Sequence, residues 1–208
     1  PLAKGVKSGK EVVCPLHDAT FDLQSGIPVR GPGLDAIPTY PVSVRRGEVF
    51  VSIPSSSFPA KLPMTMSKRD PLNLTTFVIV GGGPAGLTAA ETLRYEGFTG
   101  RIVMVSGETH LPYDRPVLSK KLPIRGKLDG LFLRPLDHFV KADIEVQLST
   151  HVERIDPESK QLFCSNGSTL SYDKCLIATG GSARESFIPG AAGASQVVVL
   201  HSIYDAVA

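Results

Sequence analysis

The sequence contains no tryptophan and only three cysteines, Cys14, Cys164 and Cys175, at unrelated spacings. That excludes a disulfide-stapled secreted scaffold and favours a reducing compartment. Charge of one sign is missing too. Lys and Arg number 22 against 20 Asp and Glu, a formal net charge of +2, so nothing points to a nucleic-acid partner or an anionic membrane surface. Long apolar runs are absent: stretches such as 174–178 and 196–200 fall far short of the ~20 residues that span a bilayer. No secretory signal opens the chain, which starts at Pro1 rather than Met and stops at Ala208 inside a helix-like stretch, 202–206. A piece of a longer protein is therefore expected, and its location stays open between cytoplasm and mitochondrion.

At 208 residues the chain can hold one large or two small domains, each with a core. The prolines cluster between Ile53 and Pro71 without any period, which is a linker signature. Residues 1–54 are expected to form one domain, 55–73 a linker with solvated Lys68, Arg69 and Asp70, and 74–208 a second domain.

The second domain is organised around Val78-Ile79-Val80-Gly81-Gly82-Gly83-Pro84-Ala85-Gly86-Leu87. Thr76 to Val80 is a short apolar run of the kind that makes a buried parallel strand. Ala85 to Glu96 follows as a helix with Gly86, Leu87, Ala90 and Leu93 on one face, Gly97 stops it, and Arg101 to Val105 is a second strand. Gly81, Gly83 and Gly86 are spaced G-x-G-x-x-G at the strand-to-helix turn, the context that gives the motif its meaning. Gly81 allows the tight turn, Gly83 lets the backbone approach a pyrophosphate, and Gly86 lets helix and strand pack closely. The helix N-terminus offers free N–H groups to phosphates, and Pro84 suits its first turn. An acid near the end of the second strand accepts ribose hydroxyls in such units. Glu108 is the nearest, just beyond Ser106 and Gly107.

Residues 1–53 read as short strands joined by turns, with Arg45-Arg46-Gly47 inside a hairpin. Cys14-x-x-His17 is the chemical point of this segment, since a thiolate and an imidazole at that spacing can ligate an iron–sulfur cluster or a zinc. Cys14-Pro15-Leu16-His17-Asp18-Ala19-Thr20-Phe21 together with Gly31-Pro32-Gly33 resembles the second cluster-binding loop and the covering loop of Rieske [2Fe–2S] domains. A Rieske centre takes two Cys and two His, and neither residue occurs upstream of Cys14. The segment is thus expected to be the C-terminal part of such a domain, carrying an empty half-site.

Leu111-Pro112-Tyr113-Asp114-Arg115-Pro116-Val117-Leu118-Ser119-Lys120 resembles the flavin-binding segment of oxygenase-system ferredoxin reductases and of apoptosis-inducing-factor-like proteins. The resemblance implies that Arg115 meets the FAD pyrophosphate and that Lys120 lies beside the isoalloxazine as the catalytic-site cation. Residues 151–156, 161–165 and 169–172 read as a β-meander turned at Asn166-Gly167. Tyr172 to Ala178 reads as a buried strand, with Cys175 in its core, and it ends in Ala178-Thr179-Gly180. By the same resemblance the backbone of Val152 contacts the adenine, Thr179 and Gly180 lie near the FAD, and Arg184 reaches the flavin nucleotide. His110 and His138 read as turn or structural residues.

The order of motifs resembles the Rieske-bearing, apoptosis-inducing-factor-like flavoproteins. The fold class implied is multidomain: a partial all-β Rieske-type domain followed by an α/β, glutathione-reductase-like Rossmann domain with a β-meander. The function implied for the parent is an NAD(P)H-dependent FAD oxidoreductase that passes electrons to a Rieske-type [2Fe–2S] centre or an external acceptor. A second G-x-G-x-x-G unit, for NAD(P)H, does not appear by Ala208, so the chain alone is expected to be inactive. A signalling or apoptosis-related role, a non-catalytic cofactor-binding fragment, and NAD rather than FAD at Gly81 to Gly86 stay open as alternatives.

Overall fold

The computed structural model describes residues 2–55, 64–120, 130–184, 187–191, 193–195 and 197–207. The chain divides into two compact units, Pro1–Thr65 and Met66–Ala208.

In the first unit, β1 (Val6–Ser8), β2 (Glu11–Val13), β3 (Thr20–Asp22) and β4 (Pro28–Arg30) form an antiparallel sheet in sequence order. Ala19, Phe21 and Ala36 are the unit's buried apolar residues among those described. The strand residues of β5 (Val42–Arg45) and β6 (Glu48–Val51) make a separate hairpin. Arg46 and Gly47 turn it with φ of 52° and 82°, the paired positive values of a twist-matched two-residue turn.

The second unit is built on a parallel sheet of order β13-β7-β8-β9, comprising β7 (Thr76–Val80), β8 (Arg101–Val105), β9 (Ile144–Gln147) and β13 (Lys174–Ile177). The apolar runs of β7 and β8 are continuous because both faces are covered. Ile79, Ile102 and Met104 point to one face, where they meet Leu87 and Ala90 of α1 (Pro84–Tyr95) and Phe139 of α2 (Leu136–Lys141). Val78, Val80, Val103 and Val105 point to the other, against Leu162, Cys164 and Leu170 of the meander. That meander is β10 (Val152–Asp156), β11 (Gln161–Cys164) and β12 (Thr169–Ser171), antiparallel throughout. Period-two alternation thus sorts one apolar sequence into two cores.

Strand β13 is not the buried strand that its composition suggests. It pairs only with β7, and as the edge of the described sheet it leaves Leu176 and Ile177 45% and 63% exposed. Cys175 packs against the meander core, where burial pushes its thiol up from its ordinary value. Residues 66–73, read as linker, run along the second unit. Met66 packs on the core, Ser67 N donates to Arg94 O at 2.9 Å and Asp70 N to Thr99 O at 2.8 Å.

Two charges of α1, outside the apolar face read from its sequence, are also buried. Arg94 is fully buried, yet its guanidinium donates to the carbonyls of Ala142 (2.7 Å), Phe98 (2.6 Å), Gly100 (2.9 Å) and Asp143 (2.7 Å). It ties the end of α1 to the start of β8 and the end of α2. Burial pushes its pKa down, opposed by the charge of Asp143. Glu91 is the other buried charge. No helix among the described residues is long and apolar enough to cross a membrane.

Candidate dinucleotide-binding site

The C-terminal ends of parallel strands open a crevice where their connections diverge. Here Val80, Val105 and Ala178 follow or end β7, β8 and β13, and they line one cleft of about 560 Å³. Its floor is the glycine turn. Gly81 N donates to Val105 O at 2.8 Å and Ala178 N to Val80 O at 2.7 Å, so the three strand ends are stitched together. Gly81 has φ +127°, and a Cβ there would lie 2.1 Å from Ala178 O. Gly86, one turn into α1, is buried beneath the cleft, and its Cβ would lie 2.1 Å from Gly81 O. Around Gly83 a Cβ would meet nothing within 4 Å. No side chain caps the N-terminus of α1, leaving its first N–H groups to the cleft.

The cleft wall beyond β8 is equally ordered. Ser106 N donates to Gln147 O (2.8 Å), Thr150 N to Ser106 O (2.8 Å) and Ser149 N to Glu108 O (2.9 Å). This ladder presents Glu108 to the cavity. One carboxylate oxygen pairs with the Arg115 guanidinium, while Oε2 is buried without a hydrogen-bond partner. Arg115 Nη1 also donates to Tyr113 Oη at 3.1 Å and to His201 O at 2.6 Å. The Tyr113 hydroxyl is pushed up to about 12, first by burial and then by its hydrogen bond to Glu108 and that carboxylate's charge, with Arg115 opposing.

Of the residues singled out in the sequence, Gly81, Gly82, Gly83, Pro84, Ala85, Glu108, Arg115, Val152, Thr179 and Gly180 all line this cleft. Lys120 and Arg184 do not. After the 3-10 turn Arg115–Val117, Leu118 buries beside Tyr113 and Leu131, which leaves Ser119 and Lys120 exposed. Arg184 is exposed beyond the Gly180-Gly181 turn. His151, Thr150, Ser106, Gly107 and His201 line the cleft but were missed by the sequence reading. The rule that ligands sit at strand ends could have found Ser106 and Gly107. His201 arrives only through the tertiary fold, because the segment before α3 (Ile203–Val207) docks by Ile203 onto Tyr113 and Leu118. His110, read as a turn residue, stacks edge-on with Tyr204 at 5.7 Å.

Cys14 and His17 sit in the turn between β2 and β3, Cys14 half-buried and His17 exposed. Cys14 N donates to Ala19 O at 2.8 Å and Cys14 O accepts from Asp18 N at 3.1 Å. Among the described residues no three His, Cys, Asp or Glu side chains converge as a metal site. The described residues therefore do not make up a Cys₂His₂ cluster set.

Residues 75–207 match the sequence pattern of the pyridine nucleotide-disulphide oxidoreductases. The chain is 37% identical over 194 residues to apoptosis-inducing factor 3 of Homo sapiens, covering 88% of this chain and 31% of that protein. It is 43% identical over 117 residues to the ferredoxin–NAD(+) reductase subunit of the benzene 1,2-dioxygenase system of Pseudomonas putida, covering 54% and 27%. Among solved structures, NADH:rubredoxin oxidoreductase from Clostridium acetobutylicum superposes with a TM-score of 0.56 and 31% identity, over 64% of this chain and 34% of that one. The chain spans about a third of the length of these relatives.

Proposed function

The chain belongs to the pyridine nucleotide-disulphide oxidoreductase family, and from that premise we propose that its second unit is the FAD-binding part of an NAD(P)H-dependent flavin oxidoreductase. One observation carries the reading: a single cleft joins an uncapped helix N-terminus, a side-chain-free glycine turn, a half-buried carboxylate, and a guanidinium. Those are the groups that an FAD pyrophosphate and its ribose require. The α1 N-terminus and Gly83 would receive the pyrophosphate, and Arg115 would neutralise it. Glu108 would accept a ribose hydroxyl, and the backbone of Val152 would face the adenine. Thr179 and Gly180 would border the flavin half. Bound FAD supplies the hydride-accepting and single-electron chemistry, while the protein binds, orients and tunes it. Lys120 and Arg184 lie outside the cleft, so the reading places no weight on them.

Electrons would leave to a ferredoxin-type acceptor, as the names of the ferredoxin reductase relatives suggest. The first unit we read as part of a Rieske-type domain, a reading supported by the Cys14-x-x-His17 spacing in the turn between β2 and β3. Because only half a ligand set is present, no electron step is assigned to a cluster.

The test is an absorption spectrum of the chain after incubation with FAD and gel filtration. Flavin bands near ~450 nm should co-elute with protein and be lost with Arg115→Met. A chain that retains NAD but not FAD would overturn the assignment.

A further inference from the structure

A charged cluster lies beneath α1, outside the cleft. Glu91 is 2% exposed and Arg134 is 7% exposed. Arg134 Nε donates to Glu91 Oε1 at 2.6 Å and Nη2 to Oε2 at 3.3 Å, a two-pronged fork on one carboxylate. His138 Nε2 lies 2.7 Å from the same Oε1. Removing two charges from water is costly, and an apolar pair of similar volume often gives equal or greater stability. Stability alone therefore does not account for this pair.

Direction does. Arg134 closes the segment 131–134, which runs antiparallel to 112–114. Asp114 N donates to Leu131 O at 3.0 Å, Leu133 N donates to Pro112 O at 2.9 Å, and Tyr113 bridges to Phe132. Arg115, the cleft guanidinium, is the very next residue. Leu131 and Leu133 pack into separate apolar clusters, but apolar contact is non-directional. The planar fork has a fixed geometry and it is anchored to α1, whose N-terminus lines the same cleft as Arg115.

We propose that Glu91 and Arg134 are positioning residues: their buried fork sets the 112–115 segment against α1 and so places Arg115 relative to the phosphate-binding helix N-terminus. The inference rests on the FAD reading for its purpose, but its geometry has a ligand-free readout.

The experiment compares the chain with Glu91→Leu/Arg134→Met, which removes both charges, and with Arg134→Lys, which keeps the charge but not the fork. Thermal midpoint, FAD dissociation constant and site-resolved amide exchange are measured for each. The double variant should keep or raise the midpoint. In both variants exchange at Asp114 and Leu133 should accelerate about tenfold or more while β7 and β8 stay protected, and the FAD constant should rise by about tenfold or more. Unchanged exchange at those two amides, or equal loss across the sheet, would overturn the proposal. If the parent chain holds no FAD, the flavin reading falls, and the exchange pattern still judges the fork.

Discussion

Gly81 and Gly107 show how differently two glycines of one cleft are constrained. At Gly81 both backbone and space refuse a side chain, with φ at +127° and the Ala178 carbonyl where a Cβ would go. Gly81→Ala should cost about 2 kcal/mol or more, read as a lower urea midpoint at unchanged slope; an unaltered midpoint would contradict it. At Gly107 a Cβ would first meet the imidazole of His151, at 2.2 Å, and a side chain can swing. Gly107→Ala should therefore leave the urea midpoint nearly unchanged yet weaken FAD binding, because His151 must leave its place on the cleft wall. Gly81 was legible from spacing. The place of Gly107 at a strand end was legible too, but its constraint was not, since that comes from a residue 44 positions away.

Tyr113 carries a pH dependence of definite sign. Its folded pKa is raised to about 12, above an unfolded value of about 10. Its contribution to stability is therefore fully present below pH ~10 and is lost as pH rises towards 12. Unfolding followed across that alkaline range should show this loss in the parent and a smaller one in Tyr113→Phe. Identical alkaline limbs would show the hydroxyl to be exposed.

Among the elements, β11 is the one that carries the meander into the sheet's core. Leu162 is fully buried at the centre of the face shared with Val78, Val103 and Val105. Leu162→Ala should destabilise by roughly 2–5 kcal/mol, measured by denaturant unfolding, with the value set by how far the meander can settle into the gap. The β8–β9 pair carries a milder electrostatic link. Arg101 Nε and Nη2 donate to Glu145 at 2.8 and 2.6 Å, and that hydrogen bond holds the carboxylate below its ordinary range despite partial burial. Its stabilisation is present above pH ~4.3 and is lost as pH falls through the depressed value. Solvent screening limits it to under about 1 kcal/mol. Arg101→Met should flatten the acid limb of an unfolding-versus-pH profile by that amount.

The boundaries of β7, α1 and β8 could be read from period and punctuation, because their apolar runs, Gly97 and the glycine turn act locally. The exposure of β13 could not. Leu176 and Ile177 look like core residues, and only the sheet order shows that they border an edge of the sheet among the described residues. Arg94 and Glu91 are the converse case. They look like a helix's polar face, and only the approach of residues 98–100 and 142–143 to one, and Arg134 to the other, supplies the partners that let a buried charge persist.

Across the whole chain, ligand binding should act on one unit and spare the other. FAD at a hundredfold excess over its dissociation constant should stabilise the unit that binds it by about 2.7 kcal/mol. Calorimetry should then show the transition of Met66–Ala208 moving up with FAD while that of Pro1–Thr65 stays in place. Movement of the first unit's transition alone would sink the assignment of the site.

What the sequence determined by itself is the local chemistry: a strand, a glycine turn and a helix that together make a phosphate-binding corner, and an arginine-bearing segment of the right kind to follow it. Those features depend on residues within one or two turns of each other, where steric rules and periodicity decide. What only the tertiary structure decided is which distant groups share that corner. Glu108 faces Arg115 and His151 lies over Gly107 because the parallel strands bring their C-terminal connections together, and His201 reaches the cleft from the far end of the unit because Ile203 docks onto Tyr113 and Leu118.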